Sequence, residues 1–458
     1  MTRRAEAADA VLDLSFTEEL RWRPVQIAAP GFLDVEAVDV GPVDDLHWSD
    51  TPPVAPYVGV EVHVRAGRGT VVAGLADPGG GQLLAVWDRR RAEVAIEVRA
   101  DGHAEVVRRC TAPDAATGVA FALCERQVTA LLLLDGAWVP VLTERDRVAA
   151  LVDPRRPEVL ARQRMVWGAR EGSVEVGDVR AGLFGMTGLR DPHLVQHQDG
   201  RPWLQDGRAW MTWTCAGLGF FQQAHWGVFS LAVDDPTDLR QEAHLFTARD
   251  GLVLGDHAGQ LVRDDERDRW LVANSSWGDF DFTGVHVRHT TSVDELLTGV
   301  HVLRTERTAL PTTVSSWDPG MTRIDGRWHV AFVESPSQQP FDFHPALARG
   351  PVDGAWPDGL ELVGADTSLH QCEGPLLHRA DGTWWLLASD GDGREYPVYD
   401  LQLRRAGRLA APYPTNIPHP QILDLPGAPR VLVTFDGTQF HPEVMGYGGH
   451  GDVVVMRS

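Results

Sequence analysis

Three observations predict that this chain is built almost entirely from β-strands. Alternating apolar and polar runs of about four to eight residues, bounded by Gly, Pro or Asp-Gly, recur along its length. Only one stretch carries a helical pattern. From Gly188 onward a single pattern also repeats: an acidic residue or a histidine, a Pro/Gly-rich turn, an apolar strand, Asp-Gly and a tryptophan. The copies lie roughly 66, 61, 55 and 46 residues apart, the range of propeller repeats or somewhat longer. The predicted fold class is therefore all-β, with a β-sandwich over residues 1–185 followed by a five-bladed β-propeller over 186–458.

The first region reads as short strands in succession. YVGVEVHVRAG, GTVVAGLADPGGGQLLAVWD, AEVAIEVRADG and ALLLLDGAWVPVL have the spacing of an antiparallel sandwich, two sheets packed face to face. By pattern this region is similar to the concanavalin-like and laminin-G-like sandwiches. The glycines at 79–81 precede a strand and read as a hairpin loop rather than a phosphate cradle. VDPRRPEVLARQRMVWGAR is the one helical stretch, and it leads into the second region.

In the second region three copies are complete: GLRDPHLVQHQDGRPWL from Gly188, SSWDPGMTRIDGRWHVAFVES from Ser315 and CEGPLLHRADGTWWLLASDG from Cys372. Two fainter copies place His257 and His419 at the corresponding point. Each unit has an inner strand starting at the axis, a tight turn, a second strand and less regular outer strands such as HWGVFSLAV. Units of this kind bury one another's faces when arranged radially. Asp191, Asp318 and Glu373 then occupy one structural position in three units, and their carboxylates point at a common centre. Trp203, Trp270, Trp328 and Trp384 close the hairpins and are expected to be core, as most of the 16 tryptophans are.

Composition removes several function classes. A net charge of −22 disfavours nucleic acid and anionic membranes as partners. The chain has no lysine, all 42 basic residues being arginine, which removes Schiff-base chemistry and the phosphate-loop lysine. Cys110, Cys124, Cys215 and Cys372 are scattered and read as reduced, mostly buried thiols. The N-terminal segment lacks the apolar core of a secretory signal, and the apolar run at Leu131–Leu134 is too short to span a bilayer. A soluble, cytoplasmic protein is expected. There is no G-x-S-x-G, no H-E-x-x-H, and no metal-ligand spacing among the 18 histidines.

Two aspartates and a glutamate on separate blades meet the requirements of glycosidic-bond hydrolysis, in which one carboxylic acid protonates the leaving oxygen and one carboxylate activates water or attacks carbon. A third acidic group can hold the acid's pKa high. In order, spacing and hairpin context the trio resembles that of the five-bladed-propeller glycosidases, most closely glycoside hydrolase family 43, related to families 32 and 68. The resemblance covers the C-terminal three-fifths of the chain. It implies that Asp191 in RDPHLV is the general base, Asp318 in WDPGMTRIDG the aspartate that tunes pKa and orients substrate, and Glu373 in CEGPLL the general acid. It further implies that His450 in GYGGHGDVVV lies on the axis near a water or metal ion. Two features depart from the related sucrose-cleaving families: the sandwich precedes the propeller, and the Arg-Asp-Pro motif stands at a different place in the order.

The expected activity is hydrolysis of a furanoside or pentopyranoside bond of arabinoside or xyloside type, by inversion. The alternatives are a retaining fructosidase or fructosyltransferase with Asp191 as nucleophile, and a propeller that binds glycan without cleaving it. The partner is an oligosaccharide or glycoside substrate. The expected substrate contacts are Arg190, His257, Trp317 as a stacking face, Arg394, His419 and His450. His344, Asp366, Phe220 and Phe221 stand beside them as secondary candidates. No cofactor is required. The resemblance allows a structural Ca2+ on the axis, with no ligands assigned.

Overall fold

The computed structural model describes residues 14–29, 38–43, 45–100, 102–312, 314–425, 429–444 and 449–458, with 38–43 as backbone only. The chain is nearly all β, as its alternation demands. No helix among these residues is long and apolar enough to cross a membrane.

The first region is one sheet folded onto itself rather than two separate sheets. Strands Tyr57–Ala76 and Arg164–Met186 pair antiparallel over almost their whole lengths, from Val58 opposite Leu183 to Ala76 opposite Arg164. The former pairs with Gly118–Cys124 through its first half and with Gln82–Asp88 through its second, so it passes from one layer into the other. The corner falls at residues 65–68, the exposed middle of an otherwise buried strand. Gly67 has φ +95° there, and a Cβ would sit 2.4 Å from the Ser173 carbonyl oxygen, so only glycine fits the bend. Inward residues of the two halves, among them Val60, Phe121, Leu132, Leu83, Trp87 and Ile96, share one core. The predicted helical stretch yields only the short helix Pro157–Leu160, flanked by turns, and becomes strand from Arg164. A second short helix, Asp146–Leu151, lies just before it.

From Leu189 onward five sheets follow in chain order in a propeller-like arrangement, with inner strands starting at Leu189, His257, Ser315, Cys372 and Gln421. Apolar clusters join each sheet to the next: Trp226 with Trp270, Leu271 with Trp328, Leu347 with Tyr399, and Leu387 with Leu432. A fifth cluster, containing Trp213, Phe229, Val433 and Val455, joins the last sheet back to the first and closes the ring. Trp270 and Trp328 are core, as expected; Trp203 and Trp384 are partly buried against the same clusters. The tight turns are Asp-Gly pairs with both residues at positive φ, as at 325–326 and 381–382, the geometry that matches strand twist in two-residue hairpins. In the first unit the strand pair closes at Asp206-Gly207, and Asp199-Gly200 lies within the connection.

The expected boundary at residue 185 needs correction. Strand Thr17–Trp22 pairs with the C-terminal strand His450–Arg457 and completes the fifth sheet, so the last blade draws on both ends of the chain. The polypeptide leaves the ring, builds the folded sheet and returns.

The two regions share an apolar interface in which Tyr57, Cys124, Leu131 and Phe184 meet Leu218, Phe246 and Val253. Buried polar groups cross it. The Tyr57 hydroxyl donates to Gln222 O at 2.7 Å, with Ala224 O also in reach at 3.0 Å. Gln127 Nε2 donates to Leu218 O, and Gln223 Nε2 to Glu125 Oε2 at 3.2 Å. The loop at residues 217–224 is thus held from outside the ring. Tyr57→Phe is expected to cost about 1–3 kcal/mol, because it leaves buried carbonyls without their donor. Thermal melting measures the loss, and faster amide exchange confined to 217–224 would locate it.

Candidate active site

Four of the inner strands carry the same irregularity near their start. The pairing register slips between Arg190 and His193, His257 and Gln260, Trp317 and Gly320, and Glu373 and Leu376. In each slip the second residue adopts positive φ: Asp191 at 51°, Ala258 at 50°, Asp318 at 50° and Gly374 at 62°. Such a bulge re-aims side chains toward the axis.

This register corrects the expected equivalence. Asp191 and Asp318 are true counterparts, but Glu373 corresponds to Arg190, His257 and Trp317, one residue earlier. The counterpart of the aspartates in the fourth sheet is Gly374. A Cβ there would lie 2.3 Å from His419 Cδ2, so the position must be glycine for His419 to pack beneath it. The three carboxyls nevertheless converge.

Asp191, Asp318 and Glu373 line one cavity of about 460 Å3, together with Arg190, His257, Phe221, Trp277, Phe341, Phe343, Gln371, Arg394 and Asn416. Its volume falls in the range of small-molecule sites. Asp191 is surrounded by cationic and imidazole nitrogens, with Arg190 Nε at 3.4 Å, His419 Nε2 at 3.9 Å and His257 Nδ1 at 4.0 Å. Burial alone would raise its pKa, but the Arg190 guanidinium, the largest opposing charge, holds it below the usual carboxylate value. Glu373 behaves oppositely. Burial and then the charge of Asp191 push it up to about 7, against the opposing hydrogen bond from Trp317 Nε1 to Oε2 at 3.1 Å. Asp318 is raised well above its ordinary value by burial, then by Glu373 and Asp191. Its Oδ2 accepts from Gly374 N at 3.2 Å and faces His419 Nε2 at 3.5 Å, while its own amide donates to Ser275 Oγ at 3.0 Å. Burial and Asp191 lift Glu373, and Glu373 and Asp191 lift Asp318, so the three carboxyls titrate as one interacting set.

The histidines are arranged as neutral groups. His257 Nε2 donates to Phe221 O at 3.1 Å, because a carbonyl can only accept; Nδ1 then turns its lone pair toward Thr214 Oγ1 at 3.4 Å and Asp191. Burial, then Arg190, lower its pKa to about 3. His419 is buried behind the aspartates, and burial lowers its pKa too.

The remaining candidates divide. Arg394 lines the cavity with its guanidinium on Tyr413 O at 3.2 Å. His450 stands behind Asn416, a lining residue whose Nδ2 is 3.2 Å from His450 Nδ1. Trp317 offers no stacking face: it is buried beneath Phe341 and Phe343 and acts on Glu373 through its indole N–H. Phe221 is a cavity wall and Phe220 packs on it at 4.5 Å. His344 turns to Glu334 and Asp366 accepts from Tyr399, so neither joins the site. Trp277, Gln371 and Asn416 escaped the sequence reading, since each stands in a connection outside the repeated hairpin. The prolines were the overlooked signal for register: matching Pro192, Pro319 and Pro375 sets Gly374, not Glu373, opposite the aspartates.

Among the described residues, Asp318, Glu373 and His419 can bring one ligand atom each within 4.8 Å of one another. Two carboxyls and an imidazole beside the buried Arg190 guanidinium do not make the oxygen-rich cage that calcium takes.

Trp317→Phe removes a hydrogen bond that favours the charged form of Glu373. The titration of the Glu373 carboxyl, followed by its infrared absorption, should move upward by roughly half to one pH unit. A downward or absent shift would contradict the indole's role.

No family model matches the chain, and no curated relative matches it. Solved structures similar to it include the GH43_1 enzyme from Xanthomonas citri, at 14% identity and TM-score 0.42, covering 59% of this chain and 86% of that one. A Bacillus subtilis levansucrase variant is also similar, at 7% identity and TM-score 0.43, covering 58% and 82%.

Proposed function

We propose that this protein is a glycoside hydrolase acting on a furanoside or pentopyranoside of arabinoside or xyloside type. The observation that carries the reading is a pair of carboxyls held in opposite states in one cavity, Glu373 protonated up to about pH 7 and Asp191 ionised well below it. Two titratable groups pushed apart in this way divide acid and base roles. Glu373 gives its proton to the leaving oxygen as the glycosidic bond breaks, and Asp191 takes a proton from the water that attacks the anomeric carbon, with inversion. Asp318, kept neutral, can donate a hydrogen bond to a ring hydroxyl. The order and spacing of the acidic motifs, through their resemblance to the propeller glycosidases, support the glycosidase reaction.

The low pKa of Asp191 favours a second reading. A weakly basic carboxylate is a good leaving group, so Asp191 could attack carbon directly and be displaced by water, with retention. Anomer-resolved NMR of the first-formed product separates the two. A panel of aryl furanosides and pyranosides tests both, and absence of turnover on every member would end the hydrolase reading.

A further inference from the structure

The cavity is two-sided. Its floor carries Asp191, Asp318 and Glu373, while one wall is aromatic: Phe221, Trp277, Phe341 and Phe343. The rings form a continuous series. Phe221 and Trp277 lie 4.5 Å apart between centroids, Trp277 and Trp317 5.6 Å, and Trp317 and Phe341 5.7 Å with planes inclined by 19°. Beyond the cavity the series runs from Phe221 to Phe220 at 4.5 Å and on to Phe282 at 5.5 Å. Its ends are open to solvent, Phe341 by 39% and Phe282 by 54%. Exposed aromatic surface that continues into a cavity marks a binding surface.

The acid orients this surface relative to the reaction. Glu373 accepts from Trp317 Nε1 at 3.1 Å, and Trp317 is stacked on Phe341. A carboxylic acid must lie beside the oxygen it protonates, so the leaving group departs on the Glu373 side, over Phe341. Gln371 Nε2 donates to Phe341 O at 3.1 Å and holds that platform in place. The phenylalanine rings offer no hydrogen bond, so an apolar group buries its whole surface against them while the hydroxyls of a second sugar gain nothing from them. An apolar group there would lose nothing.

We infer that the site takes glycosides whose leaving group is an apolar aryl or alkyl aglycone, with Phe341 as its platform. This rests on the hydrolase reading and names the substrate class within it.

Benzyl and methyl glycosides of the same pentose test it, since the two alcohols leave with similar ease and differ mainly in apolar surface. Calorimetric titration of Glu373→Gln with benzyl and methyl β-xylopyranosides and α-arabinofuranosides should give about tenfold tighter binding of the benzyl member of the recognised pair. Phe341→Ser should bring the benzyl-to-methyl ratio close to one, and Phe341→Tyr should keep it. Equal affinities in Glu373→Gln, or a ratio that survives Phe341→Ser, would overturn the aglycone assignment even where the wild type cleaves both glycosides. Failure of the wild type to bind or cleave any of the four would overturn the hydrolase reading along with it.

Discussion

Glu373→Gln should lower kcat on an alkyl glycoside by about 10²–10⁴-fold, the range spanned by loss of a positioned general acid. The amide keeps the shape of the side chain and a neutral group beside Trp317, so substrate affinity should survive. The loss should shrink for 2,4-dinitrophenyl glycosides, whose leaving group needs no proton, and the alkaline limb of the pH profile should disappear. The same substitution should also stabilise the fold. Glu373 has a folded pKa of about 7, raised from 4.5. The folded state therefore binds more protons than the unfolded state between these values, and stability falls as pH rises through that window. Above pH 7 the ionised carboxylate is unfavourable in the cavity, and an amide removes that cost. Urea unfolding at pH 8 should show the variant more stable by about 1–3 kcal/mol, with the difference vanishing toward pH 4. A variant equally inactive on good and poor leaving groups, and no more stable at pH 8, would place the acid elsewhere.

What the sequence reveals and what it hides follow from the range of each interaction. The alternation of YVGVEVHVRAG and the recurring Asp-Gly turns are local, so the β character and the repeat are legible at once. The convergence of Asp191, Asp318 and Glu373 is legible because radial repetition turns sequence spacing into geometry. The register is subtler. A bulge shifts pairing by one residue, and Glu373 reaches the centre from the position before the turn while Asp191 and Asp318 reach it from the turn itself. Closure of the ring by Thr17–Trp22 is invisible, since that strand pairs with residues over 400 positions away and carries no repeat signature. The aromatic wall is hidden for a related reason: Trp277 comes from a connection and Phe341 from the very start of an outer strand, places set by packing rather than by periodicity. Trp317 shows adjacency misleading. It precedes Asp318, yet its indole N–H bonds the glutamate of the next sheet.

Arg190→Met should be the most damaging single change to the fold of this site. The guanidinium is 1% exposed and its Nε lies 3.4 Å from the Asp191 carboxylate. Removing one partner of a buried ion pair strands the other charge, at a cost of about 3–5 kcal/mol. The pH dependence distinguishes this from a mere packing defect. In the wild type the folded pKa of Asp191 is depressed, so its pair contributes stability above the unfolded value and loses it as pH falls through the folded one. Without Arg190, burial dominates and raises that pKa, and the carboxyl must then take up a proton to stay inside. The deficit of Arg190→Met should therefore be largest at pH 8 and shrink toward pH 4 in urea unfolding. Adding Asp191→Asn removes the stranded charge, so the double variant should recover most of the stability while remaining inactive. Equal deficits at both pH values, with no recovery in the double variant, would show that Arg190 serves packing alone and that another group keeps Asp191 ionised.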